Sequence, residues 1–211
     1  MKVIGITGRS GCGKSTLTNM IREQKYPCVD ADQLSRNILE PGSSCLAPLA
    51  EAFGKDILDD NGALRRRLLA DRAFATPEGT ARLNEITHPE IFNRLEQAIA
   101  QADAAGERLF FLDGAVIIGT PFETRCDKII LITAPYEVSV QRICARDGIS
   151  PEMARRRLDA QLPETTLREA ADFVIENNGT ISQMEQQCQA LLDALRKEAY
   201  GQQEANPPVK P

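Results

Sequence analysis

Short apolar runs alternate with amphipathic segments along this chain, and the runs predict five β-strands. The candidate strands are residues 1–7, 26–30, 108–113, 128–133 and 173–176. The third and fourth runs are almost continuously apolar, which is typical of parallel strands buried on both faces. Helical periodicity occupies most of the chain between the runs. This alternation predicts an α/β fold built on a doubly wound parallel sheet of five strands.

The stretch between the second and third strands shows helical periodicity alone. Apolar residues recur at helical spacing across residues 45–105, and no strand pattern interrupts them. Thr76 followed by Pro77 is typical of a helix N-terminus. We expect His88 and Pro89 to begin a further helix. A block of this kind inside a parallel sheet indicates a helical insertion.

The second half of the chain predicts a hairpin of two helices and one long terminal helix. The hairpin helices cover residues 136–147 and 151–161, and Ser150 is the expected N-cap of the second. Ser182 and Glu185 fit a capping box for the terminal helix, because the box joins an N-cap hydroxyl to a side chain three residues later.

A glycine-rich motif connects the first strand to the helix that follows it. Residues 8–16 read G-R-S-G-C-G-K-S-T, which matches the spacing G-x-x-x-x-G-K-S of a phosphate-binding loop. Such a loop wraps backbone N–H groups around a polyphosphate, while Lys14 adds charge at the β- and γ-phosphates and Ser15 offers a hydroxyl to Mg²⁺. A plain turn is the alternative, but motif and context agree on phosphate binding. The predicted nucleotide-binding residues are Gly8, Gly11, Cys12, Gly13, Lys14, Ser15 and Thr16.

Composition narrows the classes of partner. The chain has 211 residues and a net charge of -5, so no basic field favours a nucleic-acid partner. Its six cysteines are scattered without a C-x-x-C pair, which favours free thiols in a reducing cytosol over a metal site. We expect neither a signal peptide nor a membrane span. We therefore expect a cytoplasmic protein. The expected assembly, which composition does not determine, is a monomer or a weak homo-oligomer.

Three aspartates end predicted strands, where open parallel sheets bind their ligands. Asp30 and Asp32 end the second strand, and in extended chain their side chains would face the same side. We favour Asp32 as the carboxylate that orients an acceptor hydroxyl and takes its proton, over a cap for a helix from Gln33. Asp113 ends the third strand, and two interpretations stay open: a ligand of Mg²⁺ or a helix cap.

Five arginines distinguish the predicted helical hairpin, and they are Arg142, Arg146, Arg155, Arg156 and Arg157. Arg142 and Arg146 are four residues apart and therefore share one helix face. We interpret that face as part of a lid over the triphosphate, where arginine neutralises charge on the transferred group and closure excludes water. Arg157 can join it from the second helix, whereas we interpret Arg155 and Arg156 as a solvated face.

Taken in order, these segments resemble the dephospho-coenzyme A kinase family over roughly residues 2–195. The matching segments are the phosphate loop, Asp30-Ala31-Asp32, Arg36, Glu40-Pro41-Gly42, His88-Pro89, Arg142, Arg146-Asp147-Gly148, residues 157–161 and residues 171–179. The resemblance implies ATP-dependent phosphorylation of the ribose 3′-hydroxyl of dephospho-coenzyme A, with ATP and Mg²⁺ as cofactors. This reaction is the last step of coenzyme A synthesis.

The resemblance also implies roles for individual residues. Asp32 matches the family's catalytic aspartate, His88 matches its acceptor-domain histidine, and Asn177 lies in the segment near the adenine of ATP. The predicted substrate-binding residues are Asp32, Arg36 and His88, and the predicted catalytic residues are Asp32, Lys14, Arg142 and Arg146.

A three-part enzyme is the architecture that the resemblance implies. Its expected parts are a nucleotide-binding core in residues 1–31, 106–138 and 166–200, a helical acceptor domain in residues 32–105, and a lid in residues 139–165. Residues 201–211 are polar and proline-rich, so we expect a disordered tail.

Two places depart from the family pattern. Residues 115–119 read A-V-I-I-G where the family has a Pro-Leu-Leu-Phe-Glu type segment, so the proline and the glutamate are missing. Arg9 replaces a small residue at a variable position of the phosphate loop, where a side chain can point to solvent. The first departure concerns contacts to the acceptor and leaves the phosphate machinery unchanged.

Two other functions fit the phosphate loop taken by itself. One is a related small kinase that acts on a nucleoside or nucleoside monophosphate, and the other is a nucleotide-dependent switch. A guanine-specific switch would use an Asn-Lys-x-Asp element, and the sequence contains none. Lid arginines and a strand-end aspartate favour transfer over switching.

Overall fold

The sheet confirms the predicted α/β architecture. In the computed structural model, which describes residues 1–115 and 117–201, five parallel strands stand in the order β2-β3-β1-β4-β5. They are β1 (Lys2–Thr7), β2 (Cys28–Asp30), β3 (Leu109–Asp113), β4 (Lys128–Thr133) and β5 (Phe173–Glu176). Each lies within a stretch that the apolar pattern predicts. In β1, β3 and β4, which are buried on both faces, apolar residues stand at successive positions.

Helices occupy most of the remaining chain. Within the described residues they are α1 (Lys14–Glu23), α2 (Ala31–Asn37), α3 (Leu46–Phe53), α4 (Arg66–Ala73), α5 (Pro77–Ala104), α6 (Tyr136–Asp147), α7 (Pro151–Asp159), α8 (Glu164–Ala170) and α9 (Ile181–Tyr200). Two 3₁₀ turns lie at Lys55–Ile57 and Glu123–Arg125. The apolar pattern misses α8, since Leu167 is its one buried residue.

Strand β1 lies at the centre of the sheet and pairs with β3 on one side and β4 on the other. Its residue Ile6 pairs with Asp113 of β3 on one side and with Ile130 of β4 on the other. Because all three strands run in the same direction, their carboxyl ends and the loops that follow share one edge of the sheet. This is the edge at which open α/β sheets bind ligands.

A hydrophobic core holds these strand ends in place. Every residue of β3 is buried, so both faces of that strand are covered. Helices α1 and α9 pack on the sheet through buried side chains that include Leu17, Ile21 and Leu192. Complete burial of one such side chain stabilises the fold by about 1.5–3 kcal/mol. The loops at the sheet edge therefore rest on a tightly packed support.

The chain forms two compact units. Of the described residues, 1–29, 102–115 and 117–201 make up the first unit, which holds the strands, except for the last residue of β2, together with helices α1 and α6 to α9. Residues 30–101 make up the second unit, which is mainly helical and also contains an antiparallel bridge between Leu58 and Leu64.

Helix α5 corrects one prediction in the second unit. Thr76 caps its N-terminus as predicted, accepting a 3.1 Å hydrogen bond from the backbone N–H of Gly79. The expected new helix at His88-Pro89 is wrong, because α5 runs through Pro89 without a break. A proline inside a helix costs about 3 kcal/mol or more. Burial of apolar residues beyond it, such as Leu95, offsets that cost.

The capping predictions have mixed outcomes. Ser150 caps α7 as predicted, because its hydroxyl accepts from the N–H of Met153 at 3.3 Å. Helix α9, however, begins at Ile181, and its capping box joins Thr180 to Gln183 instead of Ser182 to Glu185. Both pairs fit the sequence rule, and the start of the helix decides between them.

The last prediction about the chain end lies mostly beyond what the structure describes. Gly201 ends α9, and residues 202–211, which make up the rest of the predicted tail, lie outside the described residues. In residues 1–115 and 117–201, no helix combines the length and the apolar character needed to cross a membrane.

Candidate active site

The glycine-rich loop between β1 and α1 has the curled backbone that the motif predicts. Gly11 and Gly13 have φ angles of 78° and 98°, a region that residues with a Cβ rarely adopt. Position 8 requires glycine for another reason, since a Cβ there would lie 2.5 Å from the carbonyl oxygen of Ile132. The loop therefore fits closely against the end of β4 and leads directly into the N-terminus of α1.

Lys14 and Asp113 form an ion pair beside this loop. The Lys14 ammonium donates to Oδ1 of Asp113, whose side chain is 5% exposed. Asp113 ends β3, and no α-helix in the described residues starts there, so the helix-cap alternative is wrong. The pair places a lysine and a buried carboxylate at the mouth of the loop, where they can meet phosphate and metal.

The donor set at the loop fits Mg²⁺. Ser15 and Thr16 are exposed in the first turn of α1, and that turn has no acidic residue. The N-terminal end of the helix therefore keeps its favourable field for an anion. No group of three or more His, Cys, Asp or Glu in the described ranges could hold a metal by itself. Mg²⁺ commonly takes one or two protein oxygens together with substrate phosphates and water, and the Ser15 hydroxyl and the Asp113 carboxylate are oxygens of that kind.

Arg142 and Asn177 converge on the same loop from two different elements. Arg142 of α6 donates to the carbonyl oxygens of Gly11 at 3.3 Å and Cys12 at 3.5 Å. Asn177, which follows β5, donates its side-chain amide to the Cys12 carbonyl at 2.8 Å. The Arg142 guanidinium and the Asn177 amide therefore hold the carbonyl groups of the loop in place. The structure thus brings both predicted residues to the nucleotide loop.

Arg146 is held by a carboxylate on its own helix end. Its guanidinium donates to both oxygens of Asp147, at 2.7 and 2.9 Å, and Arg157 of α7 donates to Asp147 at 2.6 Å. Hydrogen bonds from Arg146 hold the pKa of Asp147 below its usual range. The Arg146 side chain is still 56% exposed, so it remains accessible to a ligand.

The remaining arginines of the hairpin make pairs at the surface. Arg155 bridges to Glu137 of α6 at 2.9 Å, and Arg156 pairs with Glu152 one turn away at 2.8 Å. Arg156 is 77% exposed, and exposed pairs of this kind contribute about 0.3–0.5 kcal/mol. It is therefore a suitable control for the lid arginines.

The start of α2 corrects the argument about Asp30 and Asp32. Asp30 caps the helix, accepting a 2.9 Å hydrogen bond from the N–H of Gln33. Asp32 lies inside the first helical turn and is half-buried, so the argument that the two side chains face the same side of an extended chain does not apply. The cap interpretation therefore belongs to Asp30, and the catalytic role of Asp32 stays a prediction.

Asp32, Arg36 and His88 all belong to the second unit. Arg36 is exposed on the last turn of α2, and its backbone carbonyl accepts from Arg66 at 3.3 Å. His88 lies in the middle of α5, with its ring edge-on to Phe92 at a centroid distance of 6.4 Å. The first unit gathers the predicted phosphate residues, and the predicted acceptor residues are on the second.

Three residues that sequence reasoning leaves without a role connect the phosphate loop to the hairpin. Arg9 contacts the end of α7, so the expectation that it points to solvent is wrong. Ser10 and Gln161 bond to each other twice, since the Ser10 N–H donates at 2.9 Å and its hydroxyl accepts at 3.2 Å. The one signal in the sequence is the size of Arg9, at a position usually taken by a small residue.

The altered segment after β3 forms a tight turn. Gly119 has a φ angle of 76°, and its N–H donates to Oε2 of Glu123 at 2.7 Å. Ala115 and Ile118 line a cleft of about 260 Å³ beside the loop, while Val116 lies outside the described residues. The missing glutamate at position 119 is therefore replaced by a glycine that the turn requires.

We expect the Cys12 thiol to resist alkylation although it lies in the phosphate loop. Burial raises its pKa from 9.0 to about 11, so at pH 8 only about 10⁻³ of it is thiolate. Iodoacetamide labelling at pH 8, followed by peptide mass spectrometry, should modify the half-buried Cys144 faster than Cys12. Labelling of Cys12 at the rate of Cys144 would contradict this expectation.

Comparison with known proteins adds an independent line of information. A family model described as dephospho-CoA kinase matches residues 2–183. A dephospho-CoA kinase of Corynebacterium jeikeium is 40% identical over 195 residues, which cover 92% of this chain and 100% of that protein.

Solved structures agree with the sequence comparison. A protein of Thermus thermophilus superimposes with a TM-score of 0.80 and 33% identity, over 92% of this chain and 97% of that one. A dephospho-CoA kinase from Campylobacter jejuni superimposes with a TM-score of 0.69 and 26% identity, over 95% and 99% of the two chains.

Proposed function

Because the chain belongs to the dephospho-CoA kinase family, we propose that it transfers the γ-phosphoryl group of ATP to the ribose 3′-hydroxyl of dephospho-coenzyme A. Family membership makes it a kinase and contradicts the alternative of a nucleotide-dependent switch. The observation that carries the proposal is the preformed phosphate loop with Lys14 at its mouth, in a chain that matches the family from residue 2 to residue 183.

The phosphate loop is proposed to bind ATP. Backbone N–H groups of the loop and the N-terminus of α1 would surround the β- and γ-phosphates, and Lys14 would exchange its bond to Asp113 for the phosphate oxygens. Ser15 and Asp113 would hold Mg²⁺, which neutralises phosphate charge when bound. Asn177 is proposed to lie near the adenine, because its side chain already borders the loop at Cys12.

Asp32 is proposed to be the general base. The acceptor is a ribose hydroxyl, which is a weak nucleophile until a neighbouring group takes its proton. A half-buried carboxylate at the start of α2 can orient that hydroxyl and accept the proton at one of its oxygens. Arg36 and His88, on the same unit, are proposed to hold the rest of the acceptor.

The hairpin of α6 and α7 is proposed to act as the lid. Arg142 already borders the loop, and Arg146 is paired yet exposed, so both can approach the phosphates when ATP is present. Their positive charge would stabilise the negative charge of the transferred group. Closure of the hairpin would also exclude water that could otherwise hydrolyse ATP.

The lid proposal predicts that Arg146→Ala lowers kcat more than it raises the KM for ATP. An arginine that engages chiefly in the transition state affects turnover by about 10–10³-fold while leaving ground-state binding largely intact. Steady-state kinetics with ATP as the varied substrate measures both constants. Arg156→Ala is the matched control on the solvated face and should change neither, so equal effects from the two variants would remove Arg146 from the lid.

A substrate panel tests the proposed function. A coupled assay of ADP formation should give rapid turnover with dephospho-coenzyme A and little with adenosine or AMP, which carry the same ribose without the extended acceptor. Comparable turnover with adenosine or AMP would favour the related small-kinase interpretation instead.

The setting of the reaction is proposed on chemical grounds. All six cysteines are free thiols, which fits the reducing cytoplasm. The net charge of -5 supports a small-molecule substrate over nucleic acid. We propose that the enzyme works as a monomer or a weak homo-oligomer, which sedimentation over a range of concentrations would test.

A further inference from the structure

The Arg9 side chain crosses from the phosphate loop to the end of helix α7. Its Nη2 donates to the carbonyl oxygen of Leu158 at 2.5 Å, and its guanidinium carbon lies 6.0 Å from the centre of the Tyr136 ring. The Tyr136 hydroxyl in turn donates to Asp159 at 2.9 Å. Arg9 therefore has partners on both helices of the hairpin.

The electrostatics of a helix end favour this contact. Leu158 is the next-to-last residue of α7, and the carbonyls of a last turn lack full intrahelical partners and carry partial negative charge. A guanidinium at that position stabilises the helix end from outside the helix. Leu158 itself is 1% exposed and packs in a cluster with Val140 and Ile143 of α6. A hydrogen bond to its backbone therefore restrains both helices of the hairpin.

The next residue of the loop makes a second, independent connection. The backbone N–H and the hydroxyl of Ser10 both bond to the side-chain amide of Gln161, two residues beyond α7. The carbonyl of Arg9 accepts from the N–H of Cys12 at 3.2 Å, which ties the same peptide to the curl of the loop. Two successive residues thus connect the curl of the loop with the position of α7.

We propose that Arg9 is a positioning residue that keeps the hairpin seated on the phosphate loop before ATP arrives. The inference rests on the proposed function for its catalytic consequence, but the connection itself concerns the free protein. A hairpin that is already in contact with the loop loses less conformational freedom when it closes over ATP. Loss of Arg9 therefore weakens ATP binding by lowering the population of the competent arrangement.

Hydrogen exchange in the free protein tests the seating directly. Arg9→Ala removes one charge-assisted hydrogen bond, so amides of α7 should exchange about ten-fold faster. Amides of α9 should be unchanged, which shows that the core remains folded. Arg9→Lys, which keeps charge and reach, should recover part of the protection, and Arg156→Ala on α7 is the control that should exchange like the parent.

Kinetics gives the second readout. Arg9→Ala should raise the KM for ATP about ten-fold while kcat at saturating ATP stays within about three-fold of the parent, because seating contributes equally to the ground and transition states. Unchanged exchange in α7, or a fall in kcat with an unchanged KM for ATP, would overturn the proposal. A parent protein without dephospho-coenzyme A kinase activity would instead refute the proposed function, and the exchange result would still decide the role of Arg9.

Discussion

Replacement of Asp32 by Asn is expected to lower kcat by about 10²–10⁴-fold, which corresponds to about 3–5 kcal/mol in the barrier. The variant keeps the size of the side chain and most of its hydrogen bonding, but it loses the charge and the basicity. Affinity for ATP should be nearly unchanged, because Asp32 is proposed to act on the acceptor hydroxyl and is not among the predicted nucleotide-binding residues. Single-turnover kinetics at saturating substrates, together with equilibrium ATP binding, measures both quantities.

Asp30 provides the matched control for this prediction. It is two residues away and caps α2 through Gln33, and asparagine caps a helix about as well as aspartate. Asp30→Asn should therefore keep the helix start and reduce kcat far less than Asp32→Asn. If Asp32→Asn turned over dephospho-coenzyme A within a few-fold of the parent, Asp32 would not be the base.

Replacement of Lys14 by Ala is expected to reduce kcat by about 10²–10³-fold, because it removes the charge aimed at the transferred phosphates. The structure adds a second consequence. Lys14 is the ion-pair partner of the buried Asp113, so the variant leaves a buried carboxylate without its cation. We expect a loss of about 1–3 kcal/mol in the free energy of unfolding.

A double variant separates the two consequences of losing Lys14. Lys14→Ala with Asp113→Asn removes the unpaired charge, so stability in urea denaturation should return toward that of the parent while activity stays low. Near-parental turnover in the single variant would contradict the phosphate-loop assignment, and a stability equal to the parent would contradict the energetic role of the ion pair.

Sequence alone predicts the parts of the fold in which neighbouring residues decide the structure. The strand, loop and helix around residues 1–23 follow from an apolar run, from glycines where Gly11 and Gly13 need positive φ, and from helical spacing. Strands β1, β3 and β4 follow from nearly continuous apolar runs that are buried on both faces, whereas β2 and β5 are only partly buried. The same apolar pattern predicts Asp113 at the end of a strand. Because β3 pairs in parallel with β1, that strand end lies beside the loop that follows β1.

Other features depend on contacts that the sequence does not display. Helix α5 continues through Pro89 because burial further along the chain outweighs a local penalty. Asp32 is helical because α2 begins directly at Ala31, two residues before the expected start at Gln33. The contact from Arg9 to Leu158 spans 149 positions, and no local rule relates two residues so far apart.

The position of the transferred phosphoryl group tests the central claim most directly. The protein would be incubated with ATP labelled at the γ-phosphate and with dephospho-coenzyme A, or with its 2′-deoxy or 3′-deoxy analogue, and label in the acceptor would be measured. We predict transfer to dephospho-coenzyme A and to the 2′-deoxy analogue, and none to the 3′-deoxy analogue, because the 3′-hydroxyl is the proposed nucleophile. Transfer to the 3′-deoxy analogue, or no transfer to dephospho-coenzyme A itself, would contradict the account.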